Sequence, residues 1–206
     1  MAESLFITGT DTNVGKTWVL CKMLKAFRTQ GIDAVGFKPV ECGEKRTDST
    51  AIFEICEEAG VTIDEINPVW FQKPVAPSVA AEIEGPNWDL DRVLVTFEKL
   101  KSEHDVVLVE GAGGWLVPIA DNFLVSDLAS KIGLPVVVVA ANRLGCLNHT
   151  ALTVRQIAWD GLACRSVILN DLPEDEDDGS RAGNQAALKS LISVPILKLD
   201  DIKSAV

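Results

Sequence analysis

No two of the five cysteines (Cys21, Cys42, Cys56, Cys146 and Cys164) form a CxxC pair, and their number is odd. This argues against a disulfide framework and predicts free thiols in a reducing, cytoplasmic setting. No apolar run approaches the roughly 20 residues that span a bilayer. The opening MAESLFITG carries Glu3 and no basic n-region, so a signal peptide is not expected there. No internal repeat is visible. Basic residues are scarce, 19 against 30 acidic ones, for a formal charge of -11. A field of that sign repels phosphate backbones and anionic lipid, which argues against nucleic-acid and membrane partners. Small phosphate ligands stay open, because a nest of amides and a few lysines outcompetes the global field at short range. There are only two histidines, His104 and His149, and no metal-ligand spacing or nucleophile triad joins them.

What is present suffices for one core: 206 residues, 47% of them hydrophobic, expected to form one domain over 1–206. Strand-like runs lie at 4–8, 34–40, 105–109, 135–141 and, more weakly, 166–169. The runs DVVLV and PVVVVAA show no alternation, as expected of strands covered on both faces in a parallel sheet. Helices are expected from Lys16 to a stop at Gly31, within 49–59 before Gly60, and over 89–101, 123–132 and 149–160. The proline-rich stretch 67–86 reads as loop with short pieces of structure. The acidic run 174–178 reads as a solvated loop, and Lys45 and Arg46 as residues solvating theirs. The alternation of strand and helix predicts an α/β fold, a single-domain three-layer sandwich with a mostly parallel central sheet. Ligands in such folds sit beyond the carboxyl ends of the strands.

The candidate residues fall just after predicted strands. Gly9-Thr10-Asp11-Thr12-Asn13-Val14-Gly15-Lys16-Thr17 runs from strand through glycine-bearing turn to helix, the context a phosphate loop requires. The amides of Asn13, Val14, Gly15, Lys16 and Thr17 would face a phosphate, with Lys16 on the β- and γ-phosphates and Thr17 offering a hydroxyl to Mg²⁺. Five residues rather than the common four separate the two glycines, and Thr10 stands where a first glycine is expected. The fold is therefore expected to be P-loop NTPase-like. Glu110, ahead of Gly111-Ala112-Gly113-Gly114, closes an apolar strand, where turn chemistry explains the glycines but not a glutamate. Asp48, just before a helix, suits either a metal or an N-cap. Lys38, inside GFKPV, is expensive to bury without a partner.

Together GTDTNVGKT, GFKPV, VEGAGG (109–114) and LGCLNH (144–149) resemble the dethiobiotin synthetase family, over nearly the whole length. The resemblance implies a ligase that uses ATP and Mg²⁺. Its substrates would be 7,8-diaminopelargonate (7,8-diaminononanoate) and CO₂ or bicarbonate, and its products dethiobiotin, ADP and phosphate. The path runs through a carbamate and a carbamic-phosphoric anhydride, with no protein nucleophile. It also implies roles: Lys16 and Lys38 at phosphate and carbamate, Thr12 at the carbamate, and Thr17, Asp48 and Glu110 at Mg²⁺. Asn170, and Asp200 near the C-terminus, would meet adenine. Cys42 and Gly113 would line the substrate site. Gly145, Cys146 and Asn148 would meet the substrate carboxylate across the two-fold axis of a homodimer with composite sites. The chain departs from the family in carrying Cys42 where many members have serine, in a short segment between Lys38 and Asp48, and in a brief, acidic C-terminus. The rival readings are an amidotransferase-like ligase and a switch-type P-loop ATPase related to partitioning proteins. The first lacks room for a glutaminase domain. The second would bring a basic surface, a membrane-binding helix or a CxxC.

Overall fold

The computed structural model describes residues 3–172 and 179–201, so the acidic run 174–178 lies outside the described residues. The chain opens with β1 (Leu5–Gly9), α1 (Lys16–Thr29), β2 (Ala34–Phe37), β3 (Val40–Cys42), α2 (Thr47–Cys56) and α3 (Ile63–Ile66). Next come β4 (Val69–Phe71), α4 (Pro77–Glu84), α5 (Leu90–Glu103), β5 (Val106–Gly114), β6 (Pro118–Ala120) and β7 (Phe123–Leu124). It closes with α6 (Val125–Ile132), β8 (Val136–Ala141), α7 (Cys146–Trp159), β9 (Cys164–Asn170), α8 (Arg181–Lys189) and β10 (Ile196–Lys198).

Six strands form the central sheet in the order β10-β9-β8-β1-β5-β2, and every neighbouring pair is parallel. All residues of β1 and β8 are buried, as unalternating apolar runs require. Consecutive residues of β2 show how the faces are covered. A Cβ on Gly36 would meet Leu20 and Leu24 of α1 and Ile52 of α2. Phe37 points the other way, its ring 6.2 Å from that of Phe97 on α5. The helices therefore enclose the sheet as a three-layer sandwich. The connection from β1 to β2 runs toward one edge and all later ones run back toward β10, so the order reverses beside β1. This places the loop after β1 at a topological switch point.

The expected strand 34–40 is split. Pro39 has no N–H to give, and the Lys38 N–H donates to the Ile66 carbonyl at 2.7 Å rather than to a sheet neighbour. Beyond it the chain leaves the main sheet, and β3 pairs in parallel with β4 to make a small second sheet. Lys38 is thus held at a corner between two sheets. Other boundaries shift less: α6 begins at Val125 and α7 already at Cys146. His104 lies at the far end of the sheet from this corner, just before β5, with Nδ1 2.8 Å from Asp33 Oδ2. No disulfide joins any of the five cysteines, all of them among the described residues. Among the described residues no helix is long and apolar enough to cross a membrane.

Candidate active site

The loop after β1 is built around a close backbone approach. Thr10 still continues the sheet, its N–H donating to Val139 O at 3.0 Å, so the turn proper begins one residue later than the usual glycine spacing implies. Asp11 Oδ1 accepts from the Thr12 N–H at 2.7 Å, and Asn13 adopts a left-handed conformation, φ 56°. Gly15 has φ 88°, and a Cβ there would fall 2.2 Å from Asn170 Nδ2. Only glycine fits. Asn170, the last residue of β9, donates from Nδ2 to Val14 O at 3.0 Å and so ties the loop to the strand end.

Lys16 folds back, Nζ donating to Asp11 O at 3.0 Å, and is only 7% exposed. Burial, reinforced by the nearby Lys38 ammonium, lowers its pKa to about 8. Glu110, Asp48 and Asp11 pull the other way but do not offset this.

Glu110 does not end its strand, because β5 runs on to Gly114. The register between β1 and β5 slips here, from Ile7↔Glu110 to Gly9↔Gly114, so Gly111 to Gly113 bulge past Thr8. Glu110 is 1% exposed. Its Oε1 accepts from Thr17 Oγ1 at 2.9 Å and from Lys38 Nζ at 2.5 Å, while Oε2 is buried without a partner. Lys38 Nζ also donates to Asp48 Oδ2 at 2.9 Å. Burial pushes the Glu110 carboxyl above the usual carboxylate range, against the pull of Lys38. Burial also disfavours the Lys38 ammonium, but Glu110 and Asp48 outweigh that and hold its pKa above the ordinary lysine value. For Asp48, burial opposes the charge and Lys38 favours it, and Lys38 prevails, so its pKa is lowered.

Asp48 is not the N-cap of its helix. The helix starts at Thr47, with Arg46 as its N-cap residue, so Asp48 lies inside the first turn. The capping is done by Glu41, a buried residue of β3. Glu41 Oε1 accepts from the Asp48 N–H at 2.8 Å, and Oε2 accepts from the Ser49 N–H at 2.9 Å and from the Ser49 hydroxyl. That frees the Asp48 carboxylate to face Lys38. Sequence reasoning missed Glu41; its one trace was a carboxylate in an otherwise apolar stretch shortly before a helix. Glu41→Ala should lower stability by about 1–2 kcal/mol, as loss of a helix cap does. Urea unfolding reads this directly, and an unchanged midpoint would show that the cap carries no energy. Arg46 also differs from expectation. Rather than solvating its loop, it is held by Asn67 Oδ1 at 3.0 Å, Asp64 Oδ1 at 2.9 Å and Asn67 O at 2.6 Å. Its guanidinium lies 5.4 Å from the Trp70 ring centroid.

Two cavities meet over this cluster. One, of about 500 Å³, is lined by Gly15, Lys16, Thr17, Glu110 and Asn170 among others. The second, of about 580 Å³, is lined by Thr12, Lys38, Cys42, Gly113 and Val117 among others. Asn13, Lys16 and Asp48 line both. Burial pushes the Cys42 thiol up to about 11, so it stands there as a neutral thiol. Gly145, Cys146 and Asn148 line neither cavity. Gly145 is the N-cap of α7 at φ 91°, Cys146 is buried near Thr10 and Asp11, and Asn148 is exposed. Asp200 falls in the 3₁₀ turn Leu199–Asp201, and its side chain lies outside the described residues.

The sequence matches a family described as "AAA domain" over residues 3–198. The ATP-dependent dethiobiotin synthetase BioD of Akkermansia muciniphila is 40% identical over 198 residues, covering 95% of this chain and 90% of that protein. The protein of the same name from Anaeromyxobacter sp. (strain K) is 44% identical, covering 84% of this chain and 79% of that one. In structure, the septum site-determining protein MinD from Pyrococcus horikoshii superposes with a TM-score of 0.61 at 16% identity, covering 95% of this chain and 79% of that one. A ParA family ATPase from Chlorobium tepidum gives 0.58 at 12% identity, covering 99% and 90%. At such identities the likeness speaks for the fold alone. The sequence relatives speak for more: this chain is an ATP-dependent ligase of the dethiobiotin synthetase family.

Proposed function

We propose that this chain, as one domain over residues 1–206, converts 7,8-diaminopelargonate, CO₂ and ATP into dethiobiotin, ADP and phosphate. The observation that carries this reading is the junction of the two cavities at Lys16 and Asp48. A nucleotide in one cavity and a diamine in the other would meet there. The substrate amine adds to CO₂ and gives up a proton, forming a carbamate. A carbamate oxygen attacks the γ-phosphorus, the bond to the ADP oxygen breaks, and a carbamic-phosphoric anhydride results. The neighbouring amine then attacks the carbamoyl carbon, phosphate leaves, and the ureido ring closes.

Such a reaction asks for orientation and charge stabilisation rather than a protein nucleophile. Thr12 would hold the carbamate. Lys16 would follow the β- and γ-phosphates. Lys38 would bridge carbamate and γ-phosphate from its corner. Asn170 would present its amide to adenine, and Asp200 is assigned a second contact there. Cys42 and Gly113 would bound the substrate chain. The Thr17 hydroxyl and the Asp48 and Glu110 carboxylates offer only oxygen donors, one of them the unpartnered Glu110 Oε2. Among the described residues, no group of three or more His, Cys, Asp or Glu is placed to hold a metal. A donor set this small suits Mg²⁺, which binds through one or two carboxylates and takes its other ligands from phosphate and water. When bound, the ion would neutralise charge on the phosphate oxygens. Gly145, Cys146 and Asn148 lie away from their own chain's substrate cavity, as expected if they complete the site of a second copy in a homodimer. Free thiols suit a cytoplasmic enzyme.

The test is phosphate release from Mg·ATP with bicarbonate, with and without the diamine, while the organic product is followed by mass. One ureido product per phosphate, only with the diamine, is the expected result. ATP turnover indifferent to the diamine would transfer the assignment to the switch-type ATPases.

The lowered pKa of Lys16 adds a pH signature. Without bound phosphate the ammonium is lost near pH 8, and a bound phosphate pulls the value back up. Between about 8 and 10.5 nucleotide binding should therefore take up a proton, and affinity should fall as pH rises through that window. Titration calorimetry in buffers of different ionisation heat measures the proton directly. A Lys16→Met variant should lose the uptake, and uptake that persists would assign it to another group.

A further inference from the structure

Trp18 is a large apolar side chain left 59% exposed, one residue beyond the phosphate loop. It lines the cavity that holds Lys16, Thr17 and Asn170. We infer that Trp18 stacks on the nucleobase and forms one wall of a base slot whose other wall is Asn170 and Leu172. This rests on the nucleotide reading of that cavity and adds a binding residue to it.

The placement follows from the geometry of α1. Thr17 turns toward β5, where its hydroxyl meets Glu110. Gly15 turns toward β9, since a Cβ there would lie 2.2 Å from Asn170 Nδ2 and 3.5 Å from Leu172 Cδ2. Trp18 lines the same cavity as Gly15, Asn170 and Leu172. Trp18 thus shares its cavity with the end of β9, where the base end of a nucleotide must lie once its phosphates occupy the loop. Lys22, one turn further along, has its Nζ 5.5 Å from the Trp18 ring centroid, a contact that favours one pose of the indole. The other wall is polar where Asn170 ends β9 and apolar where Leu172 follows. An aromatic face opposite such a mixed edge suits a flat heterocycle, which stacks on one side and pairs along its rim.

The experiment separates base from phosphate. Titration calorimetry measures the Kd of Mg·ADP and of inorganic tripolyphosphate for the native chain, Trp18→Ala and Trp18→Phe. The exposed indole can be removed without opening the core, and circular dichroism of each variant checks this. Trp18→Ala should bind Mg·ADP about 10- to 100-fold more weakly. Trp18→Phe should recover part of the loss, and tripolyphosphate should bind all three alike. Unchanged ADP affinity in Trp18→Ala would overturn the proposal. An equal loss for ADP and tripolyphosphate would also overturn it, by showing that Trp18 acts through the loop. If the native chain binds neither ligand, the nucleotide reading of the cavity fails first and the base slot falls with it.

Discussion

Lys38→Ala is expected to abolish diamine-dependent phosphate release and, at the same time, to destabilise the fold by about 3–5 kcal/mol, the range for removing one partner of a buried ion pair. The second effect comes from what is left behind. Glu110 is buried and its Oε2 already has no partner, so loss of the lysine leaves an almost uncompensated carboxylate in the core. Asp48 suffers less, because its side chain is partly exposed. The two consequences can be told apart. Glu110→Gln removes the stranded charge, so the double variant Lys38→Ala/Glu110→Gln should regain part of the stability and none of the activity. If the single variant is as stable as the native chain, the Lys38–Glu110 contact does not hold the corner between the sheets. If it keeps full activity, Lys38 has no part in the reaction.

Lys16→Met should behave in the opposite sense, although both lysines are buried. The shift from 10.5 to about 8 means that the fold holds the Lys16 ammonium against a cost of about 3 kcal/mol. The sign follows from proton counts. Below pH 8 both folded and unfolded chains keep the proton, and the full cost applies. Between about 8 and 10.5 the unfolded chain binds more protons, so this group makes stability rise with pH, and above 10.5 the cost is gone. At pH 7 the methionine variant should therefore be as stable as the native chain, or more stable by up to about 3 kcal/mol. Its turnover should fall by about 10²–10³-fold or more, as for loss of a main charge-stabilising donor. Unfolding midpoints and steady-state rates on the same preparations decide the matter. A loss of stability comparable with Lys38→Ala would contradict the opposite electrostatic settings of the two sites.

Much of this was legible in the sequence because it depends on local pattern. Unalternating apolar runs announced β5 and β8, a glycine-bearing turn before a helix announced the phosphate loop, and Asp89 at the foot of an amphipathic stretch is the N-cap of α5. What could not be read is set by tertiary contacts. The break at Lys38–Pro39 depends on an acceptor supplied by Ile66, far along the chain. The two readings of Asp48 had equal local support, since aspartate suits a cap and a metal alike, and Glu41 takes over the capping from another strand. Strands of two or three residues, such as β7 and β10, have too little pattern of their own and exist because a neighbour is there to pair with. Trp18 carries no signal in the local pattern, and only the cavity beside it sets it apart.

The two carboxylates proposed for one cation belong to parts of the molecule that need not open together. Glu110 stands in the central sheet, which should exchange its amide hydrogens only on global unfolding. Asp48 is held through Glu41 by the small sheet of β3 and β4, whose three-residue strands can part while the core stays intact. A fluctuation confined to that satellite would swing Asp48 away and dissolve half of the carboxylate pair without unfolding the enzyme. Competence for catalysis would then be a property of the weakest cooperative unit of the chain rather than of its overall stability.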